Sequence, residues 1–296
     1  MNNQIYKQTI FLAKPKKSIN KAYSKYDANA YRDFYDNALP IFKDFCGVDN
    51  VKEVDVYDIW LRDFFPLQNP LTKEVFRYYY NPLYGDEEDK AVYDECRKYI
   101  DKNFSTAKRL PVWMDGGNLI YNDKFGICLD TNGTDLAAKT DIIEAALGIT
   151  VIVLPYRLSV PDEDATGHID GSMQFLGENV LFISEPFDPC DAEEMAERKM
   201  WIDIINEVAG DSLRIEYLPN AWGECSRNSN DDSAKGIYVN FLETENAIFV
   251  PQYNLPADEE AKATVRKHTN KKVVGIDCDK ISKHGGSLHC LTADLF

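Results

Sequence analysis

The chain has 296 residues, with 33 Lys and Arg against 49 Asp and Glu, a formal charge of −16. At 44% apolar and 12% aromatic it is too hydrophobic for a disordered chain and long enough to bury a core. The acidic balance argues against a surface that neutralises phosphates, so nucleic acid is not an expected partner. No apolar run approaches the ~20 residues of a membrane span, so no membrane association is expected. Met1 to Lys17 lacks the apolar segment and small-residue cleavage site of a signal peptide. Seven cysteines, without CxxC pairs, fit free thiols in a reducing cytoplasm better than a disulfide scaffold or a zinc site.

The elements repeat. Thr9 to Ala13 reads as a strand, Ala28 to Phe45 as a helix and Val51 to Tyr57 as a strand. Phe64 to Tyr80 reads as a hairpin, followed by a helix over Glu87 to Asp101 and a strand at Leu110 to Trp113. The next hairpin is Asn118 to Tyr121, a turn at Asn122-Asp123, and Phe125 to Leu129. A helix from Asp141 to Leu147 ends at Gly148, and Thr150 to Leu154 is a β-branched apolar strand. Then come Met173 to Leu176, Val180 to Ser184, a helix over Asp191 to Ala209 and a strand at Leu213 to Leu218. Asp191 and Glu194 predict a capping box; Met195, Ile202, Ile205 and Ala209 predict the buried helix face. Ile237 to Leu242, Ala247 to Val250, a helix over Asp258 to His268 and Val273 to Ile276 complete the series. Leu288 to Thr292 supplies the strand that the first unit lacks. Five units of roughly 60 residues, with no linker, predict one closed, pseudo-fivefold α/β domain over residues 1–296.

Parallel placement of the third strands gathers the loops that follow them at one end of the pseudo-axis. Those loops hold Trp60-Leu61-Arg62-Asp63, Met114 to Asn118, Asp162 to Asp170, Pro219 to Ser233 and His284 to Cys290. His168 and His289 fall there beside Cys290 and several carboxylates. A thiol with a separate acid/base group is the layout of nucleophilic catalysis. Taken singly, the same residues also read as a buried thiol, a structural histidine and turn-forming aspartates. His284 and His289 lie near Cys290, but no ligand set has zinc spacing, and no Walker or GxGxxG motif follows a strand. Neither a metal nor any other cofactor is expected.

In chain order, Trp60-Leu61-Arg62-Asp63, Asp115-Gly116-Gly117, Gly167-His168-Ile169-Asp170 and Gly285-Gly286-Ser287-Leu288-His289-Cys290-Leu291-Thr292 resemble the agmatine deiminase family. That family includes bacterial peptidylarginine deiminases, within the wider guanidino-group-modifying superfamily. Tyr238-Val239-Asn240-Phe241 and Phe249-Val250-Pro251-Gln252 are similar as well. The resemblance implies a five-bladed α/β propeller of repeated ββαβ modules. It implies a C–N hydrolase acting on linear amidines, which converts a guanidinium to a ureido group with release of ammonia. With agmatine the product is N-carbamoylputrescine, a step toward putrescine in polyamine metabolism.

By the same resemblance, Cys290 attacks the guanidinium carbon and His168 moves the protons. Asp115 orients His168, where many relatives carry Glu. Asp63 and Asp170 bind the guanidinium, with Trp60 against its plane. Asp164 is implied at the distal amine, and Asn240 as a further substrate contact. Phe64-Phe65 replace the small residue and Gly usual before Pro66, which predicts a different pocket mouth. Arg227 is open between a contact to a substrate carboxylate and a solvated arginine. The implied partner is a small cationic guanidine. Free or peptidyl arginine, an amidinotransferase and a non-catalytic binding propeller remain open. A homo-oligomer is compatible with the sequence but not indicated by it.

Overall fold

Five apolar runs become the middle strands of five three-stranded sheets in the computed structural model. Residues 8–15, 28–82, 89–131, 134–156, 167–221 and 233–296 are described. β1 (Thr9–Ala13) lies between β2 (Val51–Val54) and the last strand, β15 (Thr292–Leu295). β4 (Val75–Tyr79) lies between β3 (Leu67–Gln68) and β5 (Lys108–Trp113). β7 (Phe125–Asp130) lies between β6 (Ile120–Tyr121) and β8 (Thr150–Pro155). β10 (Val180–Ser184) separates β9 (Met173–Leu176) from β11 (Arg214–Leu218), and β13 (Ala247–Gln252) separates β12 (Leu242–Glu243) from β14 (Lys272–Asp277).

Every middle strand is antiparallel to one neighbour and parallel to the other. A parallel neighbour requires a crossover, and a helix supplies it each time. These are α1 (Ala28–Cys46), α3 (Asp89–Asn103), α4 (Thr140–Leu147), α5 (Ala192–Ala209) and α6 (Ala257–Arg266). A further single turn, α2 (Leu61–Phe64), follows β2. Burial runs unbroken from Ala247 to Pro251 in β13 and through all of β9, as in strands covered on both faces. The larger core cluster includes residues from Ile10 to Leu295; a second joins the third and fourth sheets to α5.

The repeat therefore stands as read, with shifted borders. Ile237 to Leu242 is not a strand: only Leu242–Glu243 pairs in the ladder, and Ile237 makes one isolated bridge to Asn220. The carbonyl of Asn240 accepts instead from the His289 N–H at 3.2 Å, so this backbone serves the last loop. Asn118 winds into a 3-10 turn with Gly116 and Gly117 before β6 begins. The completing strand of the first sheet is Thr292–Leu295 rather than Leu288 to Thr292. Residues before it turn back, with Leu291 N–H on Ser287 O at 3.1 Å and Thr292 N–H on His289 O at 3.1 Å. Phe64 ends α2 instead of opening a strand, and Val51 pairs only as far as Val54.

Helix α5 buries Ile205 and Ala209 as its apolar spacing suggests, but its first turns depart from that pattern. Arg198, Trp201, Ile205 and Ala209 are buried, and Met195 is 42% exposed. Arg198 turns inward because Glu194 Oε1 at 2.7 Å and Ser184 O at 2.5 Å satisfy its guanidinium. Asp191 does cap the helix, accepting from Glu193 N–H at 2.8 Å and Glu194 N–H at 3.2 Å. Glu194 does not complete the box; its carboxylate accepts from Phe187 and Asp188 N–H at 2.8 and 2.9 Å. Phe64 and Phe65 do not shape a pocket mouth. Both are buried, packing on Tyr80 and on Phe11 and Phe104 respectively.

Phe249 ties α1 to the fifth sheet: it is fully buried and edge-on to Phe42 at 4.7 Å and Phe45 at 6.0 Å. Phe249→Ala should cost about 3–5 kcal/mol of stability. The change should be read as a lower urea midpoint at unchanged slope.

Candidate active site

The loops after β2, β5, β8 and β14, and the chain leading into β12, meet at one place. In α2 the Arg62 N–H donates to Cys290 O at 3.2 Å, and the Arg62 guanidinium pairs with Asp294 at 2.8 Å. The next side chain, Asp63, is buried and faces another way, because adjacent helical residues diverge by about 100°. Asp63 Oδ1 accepts from Gly117 N–H at 3.1 Å and stands 3.6 Å from His168 Nδ1. The Tyr78 hydroxyl holds the Asp63 carbonyl at 2.7 Å.

The glycine pair is a steric requirement. A Cβ on Gly116 would lie 2.0 Å from the Arg62 carbonyl oxygen. On Gly117 it would lie 2.7 Å from both Asp63 Oδ1 and His168 Nδ1. Gly286 meets a similar requirement, since a Cβ there would sit 2.4 Å from the Trp60 ring. Trp60 N–H in turn donates to Asp58 Oδ1 at 3.0 Å.

His168 is bracketed by carboxylates, with Nε2 3.4 Å from Asp115 Oδ2 and Nδ1 facing Asp63. Asp115 thus reaches the ring directly, at the long end of hydrogen-bonding range. Asp170, two residues on, accepts from His289 Nδ1 at 2.8 Å, and the same oxygen lies 3.5 Å from Cys290 Sγ. Asn240 clasps the Cys290 loop. Its Oδ1 accepts from His289 N–H at 2.9 Å and Cys290 N–H at 3.4 Å. Its Nδ2 lies 3.1 Å from Asp170 O and 3.2 Å from Cys290 Sγ.

Burial and charge compete in this small volume. Burial pushes Asp63 up, to about 8, and the neighbouring Asp115 and Asp170 add to it against His168. Burial disfavours a charged His168, but Asp63, Asp115 and Asp170 together outweigh it and raise the imidazole to about 10. Burial likewise disfavours charge on Asp170, yet His289, His168 and Arg62 hold it below the usual carboxylate range. His289 is depressed, by burial and by Arg62. Burial, Asp170 and Asp63 push the Cys290 thiol well above its ordinary value.

Residues 10–295 match the family model of the Porphyromonas-type peptidyl-arginine deiminase. The chain belongs to this family. A relative from Latilactobacillus sakei is 26% identical over 205 residues, covering 62% of this chain and 55% of its own. The agmatine deiminase of Medicago truncatula is 24% identical over 228 residues, covering 65% of this chain and 61% of its own. The chain thus spans about three fifths of these curated relatives' length. The crystal structure of the C. jejuni agmatine deiminase superposes with a TM-score of 0.69 at 20% identity, covering 97% of this chain and 92% of that one. At that identity the likeness is one of fold, and it extends over all five sheets of this family member.

Cys290, His168, Asp115, Asp63, Asp170, Asn240 and Trp60 are all brought to this locus. Asp164, Arg227 and most of the segment 219–233 lie outside the described residues. The sequence left His289 and Arg62 without a role. In the structure the His289 ring is committed to Asp170. Its position beside Cys290 was the available signal. Among the described residues no group of three or more His, Cys, Asp or Glu side chains is arranged to hold a metal ion. No described helix is long and apolar enough to cross a membrane.

The raised thiol gives a direct check. Alkylation of Cys290 by iodoacetamide, resolved from the exposed Cys190 by peptide mass spectrometry, should be slow at neutral pH. It should accelerate in Asp170→Asn, which removes one of the negative charges opposing the thiolate.

Proposed function

We propose that residues 1–296 act as one guanidino-group hydrolase domain, with agmatine or a similar small guanidine as substrate. The observation that carries this reading is the meeting of Cys290 with His168, Asp63 and Asp170 from distant loops, in a buried volume where carboxylates outnumber cations. A guanidinium is planar and cationic, and two carboxylates can hold it through paired N–H bonds. Asp63 and Asp170 take that position, and Trp60 packs against the cationic plane.

Substrate binding changes the electrostatics that oppose the nucleophile. In the empty site Asp63 and Asp170 both disfavour the Cys290 thiolate. A bound cation offsets both, and the Asn240 amide stabilises the developing thiolate. Sγ then bonds to the guanidinium carbon. The C–N bond to one terminal nitrogen breaks, and the proton of His168 leaves on that nitrogen as ammonia, the thiol proton having passed to solvent. His168 next takes a proton from water, whose oxygen attacks the amidino-thioether carbon. Collapse breaks the C–S bond, leaving the ureido product and a restored Cys290 thiol. Asp115 orients His168 and stabilises its protonated form. Asp164 is assigned to the distal amine of the substrate on sequence resemblance.

Agmatine is supported by the names of the Medicago and C. jejuni relatives. The family model instead carries the name of a peptidyl-arginine deiminase, which supports a protein-bound or free arginine as the second reading. Ammonia release from agmatine, arginine, a blocked peptidyl arginine and methylated guanidines decides between them. Turnover of one of these should disappear in Cys290→Ala with the fold retained. Ammonia release surviving in that variant would refute the covalent route, and silence across the panel would refute the proposed substrate class.

The pH profile follows from the two flanking groups. Asp63 must be ionised to accept guanidinium N–H bonds, so kcat/KM should rise as pH climbs through about 8. His168 must be protonated to deliver a proton, so kcat/KM should fall through about 10. A profile flat across this interval would remove both assignments.

A further inference from the structure

The two carboxylates assigned to the guanidinium are held differently. Asp63 Oδ1 accepts a backbone N–H from Gly117 and faces His168 at 3.6 Å, beyond hydrogen-bond range. Asp170 Oδ2 meets the His289 ring at 2.8 Å, with side chains only 2% and 10% exposed. An ionised carboxylate cannot donate, so this bond requires the proton on His289 Nδ1. The backbone that carries the ring is held as well, since the main-chain N–H of His289 donates to Asn240 Oδ1 at 2.9 Å. The groups facing Asp170 are His289 and Cys290 from the last loop, His168 from the loop after β8, and Arg62 and Asp63 from α2. Those facing His289 are Asp170, Arg62 and Asp294.

We propose that His289, as a neutral imidazole donating from Nδ1, is a positioning residue that holds Asp170 as the permanent anion of this site. This rests on the deiminase reading. His289 acts through Asp170 and touches no reacting atom. The exchangeable protons belong to Asp63 and His168. The opposite directions of the two imidazoles agree with this division. Three carboxylates raise His168, whereas burial and the Arg62 guanidinium depress His289. A neutral donor is what the chemistry needs. A charged imidazole would cancel the carboxylate, and the incoming guanidinium would meet no net charge there. The fixed anion also lies 3.5 Å from Cys290 Sγ, so the thiol stays protonated until a substrate cation arrives.

The test compares His289→Leu, which removes the donor, with His289→Asn, whose amide N–H falls where Nδ1 was. Asp170 ionisation is followed in the full-length chain by carboxyl-carbon NMR of labelled aspartate, assigned with Asp170→Asn. In His289→Leu the Asp170 midpoint should rise by about one pH unit or more, and it should return toward wild type in His289→Asn. With the guanidine that the wild type turns over, KM should rise severalfold in His289→Leu, with a smaller change in kcat, because the carboxylate loses its fixed orientation. His289→Asn should recover it. If His289→Leu does not fold, His289→Gln, which moves the donor one carbon outward, replaces it with the same expected direction. An unchanged Asp170 midpoint in a folded variant overturns the proposal, as does a loss that His289→Asn fails to recover. A wild-type chain that shows the NMR shift but turns over no guanidine refutes the deiminase reading alone.

Discussion

The pairing of the first strand with the last governs the rest of this structure. β1 and β15 join antiparallel, from Thr9 opposite Leu295 to Leu12 opposite Thr292. That ladder closes the ring of sheets, and its last strand begins two residues after Cys290. The end of the chain is then fastened by its neighbours. Gln8 and Arg62 both hold Asp294, and the Gln68 side chain accepts from Phe296 N–H and donates to Phe296 O. Cys290, late in the sequence, therefore takes its place from a strand at the start of it. Without this closure Cys290 has no fixed relation to Asp63 or His168.

Closure brings together charges that would repel one another in an open chain. Asp63, Asp115 and Asp170 are all buried around His168 and Cys290. Burial penalises each charge, so the group reaches its balance by sharing protons and by hydrogen bonds to the charged forms. Asp63 rises, Asp170 falls, and the difference between them lies in their hydrogen-bonding partners. The site is built with more negative than positive charge. Under the proposed function the missing positive charge is the substrate's, and its arrival removes the opposition to the thiolate. Binding and activation of the nucleophile are then one electrostatic event.

Much of this was legible from local pattern. The Ala247 to Val250 and Phe125 to Leu129 runs announce their strands because both faces are buried. Gly148 and Asp191 mark helix ends because their conformations and side chains satisfy orphan backbone groups. The motif order carried the site residues. Other features were hidden, because their cause is not local. Ile237 to Phe241 has strand composition, but its backbone is drawn to the Cys290 loop. Arg198 is a core residue of α5 because the Ser184 carbonyl, on a strand of the fourth sheet, takes up its guanidinium beside Glu194 of the same helix. Phe64 and Phe65 looked like pocket residues because of their place beside Asp63, yet their rings point into the core.

Apolar period, turn chemistry and motif order by themselves determined the five-unit repeat, the α/β class and the set of residues that meet. These signals survive in one dimension because each depends on neighbours within a few residues. The tertiary structure alone decided which carboxylate faces which imidazole. It also decided that His289 serves Asp170, and that Asn240 holds the Cys290 loop. Such assignments depend on distances of about three ångströms between segments far apart in the chain, and a shift of an ångström or so is enough to lose a hydrogen bond. The sequence names the ionisable groups; only their packing sets which of them keeps its proton.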